Sequence, residues 1–399
     1  MTLVIARGAP GHARKTSNPI GIGPEAKGPT ALHTSSAAPA WWGVNPTYKQ
    51  VRALTDNASP MATSGAAQAP AAAPQVTPIP ASWVARMLAT ASRAPSVHNT
   101  QPWRFSVTEH AIELYADPAR KIHQDAIGRQ MMISCGAALF GLRLAVRELG
   151  RVPAVTLLPD PARPALLARV TLGPKAPATE LERRMLAALP HRHTHRGAFD
   201  PGPLPARLLP ALQHDALAEG ATLALIPGPG GDSKLAALAA EAARKQAGNP
   251  SARAEILRWS RAPGSADRDG VPASAFAPAG GTGPGRLAQR DFDLGRQAGL
   301  LPAPGPDEPP PAATAVLLTA GDLRIDWLRA GQALHRALAH AATAWVFASL
   351  STEPLEYPVI RDLIRTRLAL HGAPQMLLQF GRARASQATP RRSVTEVLI

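Results

Sequence analysis

Cysteine occurs once in the 399 residues, at Cys135. A lone thiol excludes an internal disulfide framework and any zinc site built on several cysteines. It lies in the apolar helical pattern ISCGAALFGLRLAV, the setting of a buried structural thiol rather than a reactive one. Aromatic residues are only 4% of the chain, and lysine is scarce beside arginine. No run of about 18 uncharged apolar residues exists, so no transmembrane helix is expected. The N-terminal MTLVIARGAPGHARK has too short an apolar core for a secretory signal. A soluble cytoplasmic protein is the expectation. Missing too are a GxGxxG after a strand, a Walker loop, HExxH and CxxC. PGPGGDSK (227–234) is glycine-rich but lacks the lysine-hydroxyl ending that cradles phosphate, and it reads as a turn.

Proline and glycine are abundant, at 42 and 32 residues, and they break a chain that is otherwise 45% apolar into compact segments and irregular stretches. The formal charge is +15 and the pI about 11.1. Such a field attracts anions, including nucleic acid and phosphorylated small molecules. The arginines are scattered among acids and prolines and form no long basic run, so a dispersed surface is preferred and nucleic acid is not expected as a partner.

Residues 1–80 read as a disordered low-complexity extension, rich in Pro, Gly, Ala, Ser and Thr and without apolar periodicity. Met61 is a candidate for the true start, and Trp41 and Trp42 are the one feature against disorder. Order begins at Pro80-Ala81-Ser82, a cap signal before the helix WVARMLATASRA. RFSV and AIELYAD alternate as a strand hairpin, and DAIGRQMMISCGAALFGLRLAVRELG is a long helix stopped at Gly150. AVTLLP and LLARVTLG follow as strands. A similar order recurs: helices in TELERRMLAALP and PARLLPALQHDALAEG, the strand ATLALIP, two helices broken at Gly248-Asn249-Pro250, and the strand TAVLLTA. DWLRAGQALHRALAHAATAWVFASL reads as a second long helix and MLLQFG as the last strand. The repeated order predicts a duplicated architecture, with halves at 81–180 and 181–399. Residues 261–312 are a Gly/Pro-rich insertion, either irregular or a cover over a site, with Phe276, Phe292 and Leu300 favouring docking.

Three polar segments carry candidate chemistry. In RAPSVHNTQPWRF, Ser96, His98, Asn99 and Gln101 place hydrogen-bonding side chains between a helix and a strand. A flat heteroaromatic ligand needs such donors beside apolar surface. The competing reading is a locally satisfied turn, with Ser96 and Asn99 bonding nearby backbone. In HRHTHRGAF, alternation of His191, His193 and His195 raises a metal, but no carboxylate or fourth ligand lies nearby, so none is expected. Arg192, His193, Thr194 and Arg196 instead suit a phosphate monoester and a polyol. Arg391 and Arg392 follow a proline in TPRRSV and otherwise read as a solvated basic tail.

PSVHNTQPWRF resembles the PSxxNxQPW signature of the nitroreductase family, and the similarity runs from about residue 81 to the C-terminus. More narrowly the chain resembles the Acg-like FMN-binding oxidoreductases, in which two nitroreductase-like halves are joined; GRQMMISCGAALFGLRLA, RHTHR, AGQALHR and TPRRSV have counterparts there. The resemblance implies an α+β nitroreductase-like fold whose two related halves form a pseudo-dimer within one chain. It implies FMN, with Ser96, Asn99 and Gln101 at the ring and His98 lining it. Arg192, His193, Thr194 and Arg196 would hold phosphate and ribityl, and Arg391 and Arg392 would close over the phosphate. It also implies NADH or NADPH as donor, a quinone- or nitro-type small-molecule acceptor, and hydride transfer through flavin N5. The alternative is a flavin-holding stress protein with little turnover. No general acid is assigned. In the family each flavin lies between the phosphate run of one subunit and the PSxxNxQPW loop of the other. Here the first half has the loop without the run, and the second has the run while PALQHDALAEGATLALI replaces the loop. The expectation is one FMN per chain and a unit that need not dimerise.

Overall fold

The computed structural model describes residues 77–276, 286–296, 311–383 and 388–399. The expected disordered extension, but for its last residues, lies outside this set, as do Trp41, Trp42, Leu300 and much of the 261–312 insertion. The first half runs α1 (Ala81–Ser92), β1 (Trp103–Val107), β2 (Ala111–Ala116), α2 (Arg129–Glu148), β3 (Arg151–Leu157) and β4 (Leu166–Lys175), then α3 (Glu180–Ala188). The second runs α4 (Leu208–Ala218), β5 (Thr222–Leu225), α5 (Gly228–Ala247), α6 (Pro250–Trp259), the short pair β6 (Ser260–Arg261) and β7 (Val271–Pro272), and β8 (Ala313–Thr319). It closes with α7 (Arg324–Ala342), β9 (Val346–Ser351), α8 (Pro358–Arg367), β10 (Ala373–Arg382) and α9 (Val394–Val397).

The halves follow the same path. The first sheet has the order β1-β2-β4-β3 and the second β5-β8-β10-β9, both antiparallel. In each, a helix precedes the edge strand and a long helix joins the second strand to the third. In the first half β1 and β2 form a tight hairpin; in the second, α5, α6 and the 261–312 segment fill the corresponding connection. The chain is thus an α+β pseudo-dimer, and its insertion has a defined place.

The two long helices pack against each other at the centre. Both are buried over most of their surface, with Arg129, Gln130, Gln332 and His335 buried alongside their apolar residues. Contact is close because glycines meet: a Cβ on Gly136 would lie 2.2 Å from the Leu328 carbonyl oxygen, and one on Gly331 2.0 Å from that of Ile133. The interval from Arg129 to Gly136 in α2 equals that from Arg324 to Gly331 in α7, which marks the duplication in the sequence itself. The Asp125 carboxylate accepts from the backbone N–H groups of Gln130 and Met131, capping α2, and Gly150 ends it at φ 75°.

Two segments cross between the halves. After α3, Thr194 bridges Ala348 of β9 and Asp200 bridges Arg382 of β10. At the C-terminus Leu398 bridges Phe105, and the Ile399 N–H donates to the Phe105 carbonyl at 2.8 Å. Both crossings carry candidate site residues.

Four local expectations are corrected. The second long helix stops at Ala342, because Trp345 takes φ 54° and the β-branched and aromatic residues that follow pair with β10 as β9. PGPGGDSK forms the first turns of α5, with proline at a first-turn position where its missing N–H costs nothing. Pro80, not Ser82, stands at the N-cap of α1, and no side chain caps it. α8 was not anticipated. Cys135 is buried, with its thiol donating to the Pro102 carbonyl at 3.2 Å, and burial pushes its pKa upward. Among the described residues no helix is long and apolar enough to cross a membrane.

Candidate functional site

The loop between α1 and β1 is strained. His98, Asn99 and Gln101 have φ of 50°, 55° and 50°, a region that costs a non-glycine residue about 1–3 kcal/mol in unfavourable cases. Such a conformation persists only when its surroundings fix it, and here two remote segments do. Asn99 donates through Nδ2 to the carbonyls of Gly270 (2.9 Å) and Pro390 (3.0 Å), and its Oδ1 accepts from Arg391 Nη1 at 3.0 Å. Gln101 donates to the Arg268 carbonyl at 2.8 Å and accepts the Arg392 N–H at 2.8 Å. The competing local-turn reading holds for Ser96 alone, whose Oγ accepts the Gln101 N–H at 3.0 Å. Asn99 and Gln101 therefore clamp the loop to the insertion and the C-terminal strap.

Beside this loop three arginines converge. Arg192 donates to the Arg93 carbonyl at 2.9 Å, and Arg391 to the same oxygen at 3.4 Å. Arg192 is 2% exposed, and among the described residues its Nε and Nη1 have no partner; nor do Nη1 of Arg196 and Nε of Arg391. None of the three forms an ion pair with a carboxylate among the described residues. Burial above all lowers their pKa values, to about 10 for Arg192 and Arg196 and about 9 for Arg391, where Arg192, Arg93 and Arg196 add repulsion. One buried and two half-buried cations with no carboxylate counter-charge among the described residues are suited to an anion. Arg392 stands apart, its guanidinium turned to the carbonyls of Gln101 and Glu396. His193 is half-buried, with Nε2 3.1 Å from the Pro190 carbonyl, and burial followed by Arg192 and Arg391 lowers it to about 3.

Next to the cations lies a cavity of about 80 Å3 lined by Ser96, His98, Thr194, Arg196, Arg290 and Phe292 among others. Its lining draws on both halves, with Ile133 from α2 and Leu334 from α7. His98 is 5% exposed and both ring nitrogens lack partners, while its edge meets Phe292 at 5.2 Å. Burial, then Arg290 and Arg196, hold His98 well below the usual imidazole range, so it is neutral, with one donor and one acceptor. The structure thus brings together Ser96, His98, Thr194 and Arg196 at the cavity and Arg192 and Arg391 at the anion cradle. Sequence reasoning missed the Arg93 carbonyl, Arg290 and its partner Glu356. No local signal marks them, since their roles arise from pairings across the fold.

The three histidines of the 191–195 run diverge. His191 stacks on Trp345, His193 turns to Pro190, and His195 contacts the Ala198 carbonyl at 2.6 Å while stacking on Phe199. Among the described residues no group of three potential ligands is placed to hold a metal.

The duplication also shows what occupies the equivalent place in the other half. The connection from α4 to β5 is only Glu219-Gly220-Ala221, where α1 to β1 carries the strained loop. Gly220 packs on Arg329 of α7 as Val97 packs on Ser134 of α2, and these two positions correspond in the helix repeat. Buried Glu219 pairs with Arg143 and Arg336, and buried Asp215 with Arg336 and His340. Every charge of that cluster has its opposite, whereas the cations of the first site have none among the described residues.

The sequence profile of the nitroreductase family matches residues 75–132, spanning α1, the strained loop, the hairpin and the start of α2. A Mycobacterium tuberculosis protein whose name proposes an NAD(P)H nitroreductase is 32% identical over 323 residues, covering 79% of this chain and 90% of its own. Another from that organism, acg, similarly named, is 29% identical over 315 residues, covering 77% and 92%. Among solved structures, a Bacteroides fragilis nitroreductase with bound FMN covers 52% of this chain and 93% of its own, at 11% identity and a TM-score of 0.29. The chain belongs to the nitroreductase family.

Proposed function

We propose that this chain binds one FMN and is an NAD(P)H-dependent oxidoreductase acting on a small quinone- or nitro-type acceptor. The observation that carries the proposal is the convergence of buried Arg192 and half-buried Arg391 on the Arg93 carbonyl, with Arg196 close by and no acid partner for any of them among the described residues. A phosphate monoester supplies the missing negative charge and takes charge-assisted bonds from the idle N–H groups. Thr194 offers a hydroxyl to the ribityl chain, and Ser96 and neutral His98 face the ring. Asn99 and Gln101 hold the loop's strained shape. When bound, FMN supplies two-electron chemistry between the pyridine nucleotide and the acceptor. Because both crossings lie within one chain, the site is complete without a second copy.

A second reading is a protein that holds flavin with little turnover, and one observation favours it. Residues 286–296 lie over the ring side and leave about 80 Å3, against the roughly 300–1,000 Å3 of ordinary ligand pockets. The Phe292 side chain must give way to admit the ring, and such a cover restricts pyridine nucleotide. The visible spectrum of the purified protein before and after anaerobic NADPH separates the two. A flavin spectrum that bleaches, followed by reoxidation with a quinone, supports the reductase. A flavin spectrum that persists supports holding, and no flavin spectrum after incubation with FMN overturns both.

A further inference from the structure

Arg290 is brought to the cavity by the inserted segment, outside all three motifs that mark the family. It lines the cavity on the side facing His98, and its side chain is 7% exposed. Glu356 accepts from its Nη2, Thr352 Oγ1 lies 3.4 Å from the same nitrogen, and Nη1 has no partner among the described residues. Glu356 is itself steadied by Gln130, whose Nε2 donates to it at 3.0 Å. The segment is pinned just before Arg290: the Leu287 N–H donates to Gln379 at 3.0 Å and Gln289 to Ser349 at 3.0 Å. Arg290 is thus anchored to the turn after β9 and, through its neighbours, to β9 and β10, while Phe292, beyond it, packs against His98 and Phe276.

A buried ion pair seldom adds stability over a well-packed apolar pair. Tying down a loop therefore gives no reason for a guanidinium with a free N–H at a ligand cavity. Charge balance argues the same way. Glu356 offsets one positive charge, while burial raises neighbouring Glu353 to about 7, so it is only partly ionised at neutral pH. Arg196 adds a cation with no acid partner. Both arginines line the same cavity as His98.

Resting on the FMN reading above, we propose that Arg290 is a second cationic contact of the flavin, supplied by the insertion and positioned by Glu356, and that it favours the reduced cofactor. Reduction by NADPH moves two electrons and one proton to the ring as NADP+ forms, and the ring gains one negative charge. A fixed cation beside it stabilises that charge more than the neutral oxidised ring.

The test is the two-electron midpoint potential of the flavin, with FMN affinity measured alongside, in the full chain and its Arg290→Met, Arg290→Lys and Glu356→Gln variants. Arg290→Met is expected to keep FMN within a few-fold, because Arg192 and Arg391 hold the phosphate, but to lose about tenfold in preference for the reduced form, a fall of ~30 mV. Arg290→Lys should recover part of this. Glu356→Gln should raise the potential, because the cation loses its partner, and it supplies the test if Arg290→Met fails to fold. An unchanged potential in the folded Arg290→Met protein, or a fall in Glu356→Gln, overturns this assignment alone. Absence of FMN from the unsubstituted protein overturns the functional reading and this assignment with it.

Discussion

Arg391 shows how a residue can work against the fold and for the ligand. Its half-buried guanidinium lies among Arg192, Arg93 and Arg196, and no carboxylate among the described residues offsets the repulsion. In Arg391→Met, relief of that repulsion should offset most of the lost bond to Asn99, so the flavin-free protein should lose at most about 1 kcal/mol, while FMN weakens by about 10–100-fold, the worth of one charge-assisted bond. Thermal melts with and without FMN check both signs. His335 makes a pH prediction. It is fully buried, Nδ1 lies 2.6 Å from the Ala137 carbonyl, and burial followed by Arg192 and Arg391 holds it near 3. An unfolded histidine takes a proton below about 6.5, while the folded one stays neutral until about pH 3. Stability should thus fall as pH drops from about 6.5 towards 3, by about 1.4 kcal/mol per pH unit for this one proton, with no contribution above that window. Urea midpoints at several pH values should show a shallower acid slope for His335→Asn.

Among elements, the crossing of α2 and α7 both organises the fold and lines the cavity. Gly136→Ala places a methyl against the Leu328 carbonyl, a backbone atom that cannot rotate away. The expected cost is about 3 kcal/mol, the upper end of ordinary overpacking, read from urea unfolding at unchanged m-value. The helices were legible in the sequence because their apolar residues recur at helical spacing and glycine or a cap signal marks their ends. The hairpin at Trp103–Ala116 was legible for the matching reason of strand alternation. The boundary at Trp345 was not, since AATAWVFASL continues an apolar run and only pairing with β10 makes its second half a strand. The strained loop and the arginine run could be read as polar clusters of unusual density. Their partners could not: the clamp of Asn99 spans 171 residues to Gly270 and 291 to Pro390, and no local pattern encodes that.

At the scale of the described fold, the duplication leaves two equivalent positions: one holds the acid-free arginines proposed to take FMN, and the other is filled by paired charges. Glu219→Gln removes the acid that pairs with Arg143 and Arg336, each 27% exposed. The expected loss is about 2 kcal/mol, below the 3–5 kcal/mol typical of fully buried pairs because water reaches both arginines. FMN binding should be unaffected, because that cluster is structural. The central claim, a single site assembled from both halves of one chain, is tested most directly by titrating the flavin-free protein with FMN and counting equivalents at saturation. One FMN per chain is the predicted result; two, or none, would contradict the account.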